Sequence, residues 1–125
     1  MVKSIVSSIV ALIIVVAGGV SENVYVNHCF SELTETFSLL NEKLDSGEDC
    51  SESVNSAKDK WFDCKRKLHA FIPHTEIKEV DLWVSECAYY VSVGDADEAK
   101  AKCAVILKLF EQIPKTFSLS LENVF

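Results

Sequence analysis

From Ile5 to Val20 the chain reads IVSSIVALIIVVAGGV, 16 residues without a charge, with Lys3 before the run and Glu22 after it. No other feature narrows the possible architectures as far. A helix rises about 1.5 Å per residue, so this run covers roughly 24 Å, slightly short of a ~30 Å hydrocarbon core. Two readings stay open. In one, Ile9 to Val16 is the apolar region of a secretory signal, and Val15 and Ala17 prepare a cut after Ala17. In the other, the helix stays uncut, spans the bilayer and continues through Val24, Tyr25 and Val26, with Tyr25 at the interface where amphipathic rings are favoured. In both, Lys3 keeps the amino terminus inside, and everything after Ser21 works outside the cytoplasm. The chain thus divides into a membrane segment, residues 1–22, and a domain, residues 23–125.

About 100 residues follow the segment, enough for one domain and too few for two. All 19 Asp and Glu residues lie after Val20, against 11 Lys and Arg once Lys3 is set aside. So acidic a surface repels phosphate backbones and excludes nucleic acid as a partner. After Gly19 only Gly47, Gly94, Pro73 and Pro114 interrupt the sequence. Such a scarcity of turn residues predicts long helices and no sheet.

Apolar spacing predicts four of them. Phe30, Leu33, Phe37, Leu40 and Leu44 recur at steps of three and four within residues 25–45, with Gly47 suited to a left-handed C-cap. Val54, Ala57, Trp61, Cys64 and Leu68 form the stripe of residues 51–70, opened by Ser51 or Asp49 as cap. Thr75 is the natural cap of a third helix over residues 76–93, with Glu76 and Glu79 at its dipole-positive end and Ile77, Val80, Val84, Cys87 and Val91 inward. Asp95 or Asp97 opens a fourth over residues 96–113, with Ala99, Cys103, Ile106, Phe110 and Ile113 inward and Pro114 as its stop. Short connections make neighbours antiparallel. Folding the first pair about Glu48 and Asp49 sets Phe37 against Trp61, Leu33 against Cys64 and Leu40 against Ala57. The expected fold is all-α: a membrane helix, then an antiparallel four-helix up-and-down bundle or an array of helical hairpins. The tail's Phe117, Leu119, Leu121, Val124 and Phe125 are expected to dock on it.

Trp61 with Lys65, the turn Phe71-Ile72-Pro73-His74-Thr75-Glu76-Ile77, then Asp97-Glu98-Ala99, Ile113-Pro114 and the ending Leu119-Ser120-Leu121-Glu122-Asn123-Val124-Phe125 follow at characteristic gaps. In these the chain resembles the domain of unknown function 4363 family of Firmicutes. The resemblance implies one N-terminal membrane segment and a helical domain outside the membrane, and it favours the uncut anchor. It carries over no catalytic role. The five cysteines depart from the family pattern.

Candidate chemistry is sparse. Cys29, Cys50, Cys64, Cys87 and Cys103 are 21, 14, 23 and 16 residues apart, without the close spacing of a zinc or thioredoxin-like pair. An odd number cannot pair completely within one chain. Cys64, Cys87 and Cys103 fall on apolar stripes and read as small core residues rather than a metal or redox site. Counting out from Gly94 brings Cys87 level with Cys103, so the two are expected as neighbouring thiols. A Cys29–Cys50 bridge would have to join points roughly 30 Å apart along one helix, which rules it out. His69, His74, Glu76 and Glu79 gather in sequence around Pro73. They are a weaker alternative as a metal or proton-sensing site, set against an ordinary helix start. Lys58, Lys60, Lys65, Arg66 and Lys67 read as a solvated face paired with acids such as Asp59 and Asp63, against contact with anionic headgroups. Trp61 is placed in the core and Trp83 at its edge.

No Ser-His-Asp or Cys-His order, glycine-rich phosphate loop or supported carboxylate pair is visible. The reading is therefore a non-enzymatic module without catalytic residue or cofactor, anchored in the cytoplasmic membrane with its domain outside, that binds another membrane or envelope protein. The alternatives are an extracytoplasmic sensor or metal- or ligand-binding domain, and secretion after cleavage near Ala17.

Overall fold

Gly47 and Gly94 set the two tightest turns. Each takes φ 77°, a left-handed conformation that a Cβ disfavours. At the first, Gly47 N–H donates to Leu44 C=O and Glu48 N–H to Lys43 C=O; at the second, Gly94 N–H donates to Val91 C=O and Asp95 N–H to Tyr90 C=O. Both are Schellman closures, which satisfy carbonyls that the last helical turn leaves free. The structure, a computed structural model, describes residues 1–124, without the side chains of residues 120–122 and 124. It contains α1 (Val2–Ser46), α2 (Ser51–Leu68), α3 (His74–Ser92) and α4 (Ala96–Val124), and no strand among the described residues.

The first helix is a single rod of 45 residues, roughly 67 Å long. The uncharged run Ile5–Val20 and the expected 25–45 helix are one element. Side chains from Met1 to Gly18 are exposed, and from Val26 to Leu44 one stripe is buried: Val26, Cys29, Phe30, Leu33, Phe37, Leu40 and Leu44. Nothing between Gly19 and Tyr25 breaks the backbone, so the exposed run passes into the bundle without a joint.

Neighbours around the bundle are α1–α2, α2–α3, α3–α4 and α4–α1, the up-and-down ring predicted from the short connections. Phe110 of α4 is the centre. Its ring lies 5.3 Å from Phe37, 5.8 Å from Phe30 and 6.1 Å from Trp61, reaching across the bundle to α2. Lys43 donates to Ser53 Oγ at 3.0 Å, placing the α1–α2 fold point at Glu48 as the stripe matching required.

Several boundaries differ from expectation. Asp95 caps α4, its carboxylate accepting the Glu98 N–H at 3.2 Å. Thr75, however, lies inside α3 rather than capping it. Pro73 stands at the boundary with extended backbone (ψ 140°), and its carbonyl accepts from the N–H of Glu76 and Ile77. That leaves Glu76 alone as the acid of the first turn. The helix α2 ends at Leu68 instead of Ala70. The largest correction is Pro114, which sits inside α4 instead of stopping it. A proline removes one donor but leaves the following residues free to continue, and here they gain partners. Phe117 packs half-buried against the core, and Ser118 Oγ donates to Asn23 Oδ1 of α1 at 2.8 Å. Of the tail residues expected to dock, Leu119 is instead exposed, while Phe125 and the side chains of Leu121 and Val124 lie outside the described residues.

Candidate functional site

The antiparallel order puts the α2–α3 turn and the end of α4 beside the point where α1 leaves its apolar run. Three candidate groups converge near that end: the histidines of the turn, the basic part of α2, and a thiol pair on α1 and α2.

His69 follows the last residue of α2, held by its N–H to Lys65 C=O at 3.1 Å, and His74 opens α3. Their rings come within 5.7 Å, centroid to centroid, and both side chains are exposed. Glu76 is half-buried, and its carboxyl is pushed above the usual range by burial first and by the charge of Glu79 second. The turn thus brings the histidines together, but no three His, Cys, Asp or Glu side chains are gathered to hold a metal among the described residues. Metal ligation by His69, His74, Glu76 and Glu79 as a set has no geometry here.

The basic residues of α2 are largely paired. Lys60 meets Glu32 of α1 at 2.8 Å, Lys65 meets Asp81 of α3 at 2.5 Å, and Arg66 meets Asp63 at 2.5 Å. Lys58 and Lys65 both lie 5.7 Å from the Phe62 ring. Lys60 holds the Glu32 carboxyl below its ordinary range, by hydrogen bond and by charge. These contacts tie α2 to both neighbours, and the face reads as a bundle-zipping surface.

All five cysteines are free and buried. Cys87 donates to Ala99 C=O at 3.6 Å and Cys103 to Phe37 C=O at 3.3 Å. Both sulfurs therefore sit against the backbone of a neighbouring helix. The neighbouring Cys87 thiol first, and then burial, push the Cys103 thiol up, so it stays protonated. Cys29 and Cys64 form a second pair, which the sequence reading did not find. They share a cleft of about 580 Å³ between α1 and α2 with Tyr25, His28, Glu32 and Lys60. Burial, with the neighbouring Cys29, pushes the Cys64 thiol up to about 11, so it is a poor nucleophile at neutral pH. Among the described residues the Tyr25 hydroxyl, buried there, has no hydrogen-bond partner. The signal was present in the matching of Leu33 with Cys64, because Cys29 lies one helical turn before Leu33. Cys50, at the opposite end, is buried as well and donates to Glu48 C=O at 3.3 Å.

Trp61 is fully buried and Trp83 half-buried beneath Lys102, whose ammonium lies 5.1 Å from its ring. A different feature stands on the far side of the bundle from α1. Helix α3 buries Ile77, Val80, Val84 and Cys87 on one face and exposes Leu82 and Tyr89 on the opposite one, with its C-cap Val93 in line, at 57%, 60% and 56% accessibility. Steps of seven and four place these three within one narrow stripe. Isolated exposed apolar side chains need no explanation, but three large ones in line form a surface. The sequence reading missed this stripe because it searched each helix only for its inward face.

The family model described as Domain of unknown function (DUF4363) matches residues 20–124. No curated protein matches the chain, and no solved structure matches it.

Proposed function

The chain belongs to the domain of unknown function (DUF4363) family, and we propose that it is a non-enzymatic interaction module, anchored in the cytoplasmic membrane by α1, whose bundle binds another membrane or envelope protein outside the cytoplasm. One N-terminal helix is long and apolar enough to cross a membrane. Lys3 on its amino-terminal side supports the orientation with the bundle outside. The absence of a joint between that segment and the bundle supports a module held at a set height and tilt, since a continuous helix transmits orientation where a flexible linker loses it.

The observation that carries the binding role is the outer stripe Leu82, Tyr89 and Val93 on α3. It faces away from the anchor, where a neighbouring protein standing in the same membrane can reach it. Tyr89, packed edge-on against Tyr90 at 5.4 Å, supplies the aromatic side chain that interfaces favour.

The test is site-specific photo-crosslinking from position 82 or 89 in native-host membranes, compared with Ser56 on α2 as a control face. A discrete protein adduct from the α3 positions, lost in Leu82→Lys and Tyr89→Lys variants that keep the parent melting temperature, is the expected result. Equal labelling from all positions would refute the assignment. The intact mass of the membrane-extracted protein addresses the anchor separately: a chain beginning at Gly18 or Val20 would show a cleaved signal instead.

A further inference from the structure

Ser118 and Asn23 register α4 against α1 through their 2.8 Å hydrogen bond. The helices are antiparallel, so each residue after Ser118 lies level with one residue before Asn23. Leu119 therefore stands near the height of Glu22. Val124, six residues beyond Ser118, stands roughly 9 Å nearer the amino terminus of α1, near the height of Ala17.

Those heights matter because of where a bilayer must end on α1. The uncharged run Ile5–Val20 covers roughly 24 Å, less than the ~30 Å of a typical hydrocarbon core. A short span is accommodated by thinning the bilayer or by drawing in the next apolar residues. Val24, 63% exposed, is the next one, and continuing the helix to it adds about 6 Å. The boundary then falls between Val20 and Val24, a level the end of α4 reaches and passes.

Three observations fit this placement. Leu119 is 60% exposed although it lies on a helix that packs well up to Phe117. At the crossing level the polar side chains of Asn23 and Ser118 satisfy each other, as groups near a low-dielectric region must. The α2–α3 turn ends at the same height, with Phe71 6.2 Å from the Tyr25 ring, edge-on, where aromatic side chains favour a membrane interface.

We propose that the end of the bundle formed by α4 beyond Ser118 and by the Phe71–His74 turn is seated in the headgroup–acyl boundary of the membrane that α1 spans. Its partner is the lipid itself. The contact gives the bundle a second point of attachment besides α1 and sets its tilt. It explains why Leu119 stays exposed although α4 packs as far as Ser118. The inference rests on the spanning reading of α1.

The test uses the full chain reconstituted in phosphatidylcholine vesicles, without bromine, with bromine on the acyl chains just below the headgroup, or with bromine near the chain ends to reach position 13. Tryptophan is introduced singly as Leu119→Trp, as Ile13→Trp inside the span, and as Val93→Trp at the far end. Quenching is read as the difference from the parent, which retains Trp61 and Trp83. Quenching at positions 119 and 13 but not 93 is expected. Quenching at 13 with position 119 behaving like 93 overturns the lipid contact while leaving the span intact. No quenching at 13 removes the span, and the inference with it. Should Leu119→Trp fail to fold, Phe71→Trp probes the same height from the turn, with the same two outcomes.

Discussion

Trp61 donates its indole N–H to one carboxylate oxygen of Asp81 at 2.6 Å. The other oxygen accepts from Lys65 at 2.5 Å. A single half-buried aspartate on α3 thereby completes the polar edge of the largest core side chain and binds two positions of α2. Asp81→Ala leaves the indole N–H of a fully buried tryptophan without an acceptor, a loss of roughly 1–3 kcal/mol. Asp81→Asn keeps an acceptor for Trp61 and gives up only the charged contact, so its loss is the smaller of the two. Denaturant unfolding of both variants, followed by tryptophan fluorescence, orders them. Equal stability of Asp81→Ala and the parent would remove the bridge from the account.

The two left-handed glycines give a matched pair. A Cβ at Gly47 or Gly94 would touch nothing within 4 Å, so the penalty of Gly47→Ala and Gly94→Ala is backbone strain alone. Each is expected to cost about 1–2 kcal/mol, and the two by similar amounts. Thermal unfolding checks this. A neutral Gly94→Ala would mean that the turn relaxes out of the left-handed conformation.

Cys103 separates packing from chemistry. Its sulfur lies 3.3 Å from the Phe37 carbonyl, at the close approach of α4 to α1. Cys103→Ala and Cys87→Ala remove little volume and should each cost on the order of 1 kcal/mol, leaving partner binding unchanged. Cys103→Leu adds volume where a backbone stands, and a cost of roughly 1–3 kcal/mol is expected. If either alanine variant loses partner binding at unchanged melting temperature, the thiols have a redox or metal role instead.

Glu76 yields a pH signature. Burial and Glu79 raise its folded-state pKa above the unfolded value, despite its place in the dipole-positive first turn of α3. The folded state therefore holds the proton more tightly than the unfolded state. This contribution stabilises the fold at pH below the unfolded pKa and is lost as pH rises through the window up to the folded pKa. Glu76→Gln should accordingly raise the melting temperature at neutral pH and have less effect in acid. Glu32 carries the opposite sign: Lys60 lowers its pKa, so its contribution is present at neutral pH and lost as pH falls through the folded value. The Glu32→Gln variant should thus be less stable than the parent at neutral pH and should converge with it in acid. A Glu76→Gln chain no more stable than the parent at neutral pH would contradict the burial of that carboxylate.

Local chemistry by itself determined the four helices, their inward faces and two of their ends. Leu33, Phe37, Trp61, Cys64, Ile106 and Phe110 are buried as their spacing of three and four requires, because an apolar stripe is removed from water whichever neighbour covers it. Gly47 and Gly94 stop helices for a reason contained in one residue. Tertiary structure alone decided the features that depend on a distant partner. Pro114 carries a local stop signal, yet α4 continues because Phe117 and Ser118 find the core and α1, and such contacts outweigh one lost hydrogen bond. Asp81 carries no sequence signal of its own, and its tie to Trp61 and Lys65 exists only once α2 lies beside α3. Cys29 and Cys64, 35 positions apart in the chain, became a pair only when α1 and α2 were packed in register. Spacing shows which side of a helix seeks cover; which side chains then meet depends on rotation and height between helices, and those are properties of the assembled bundle.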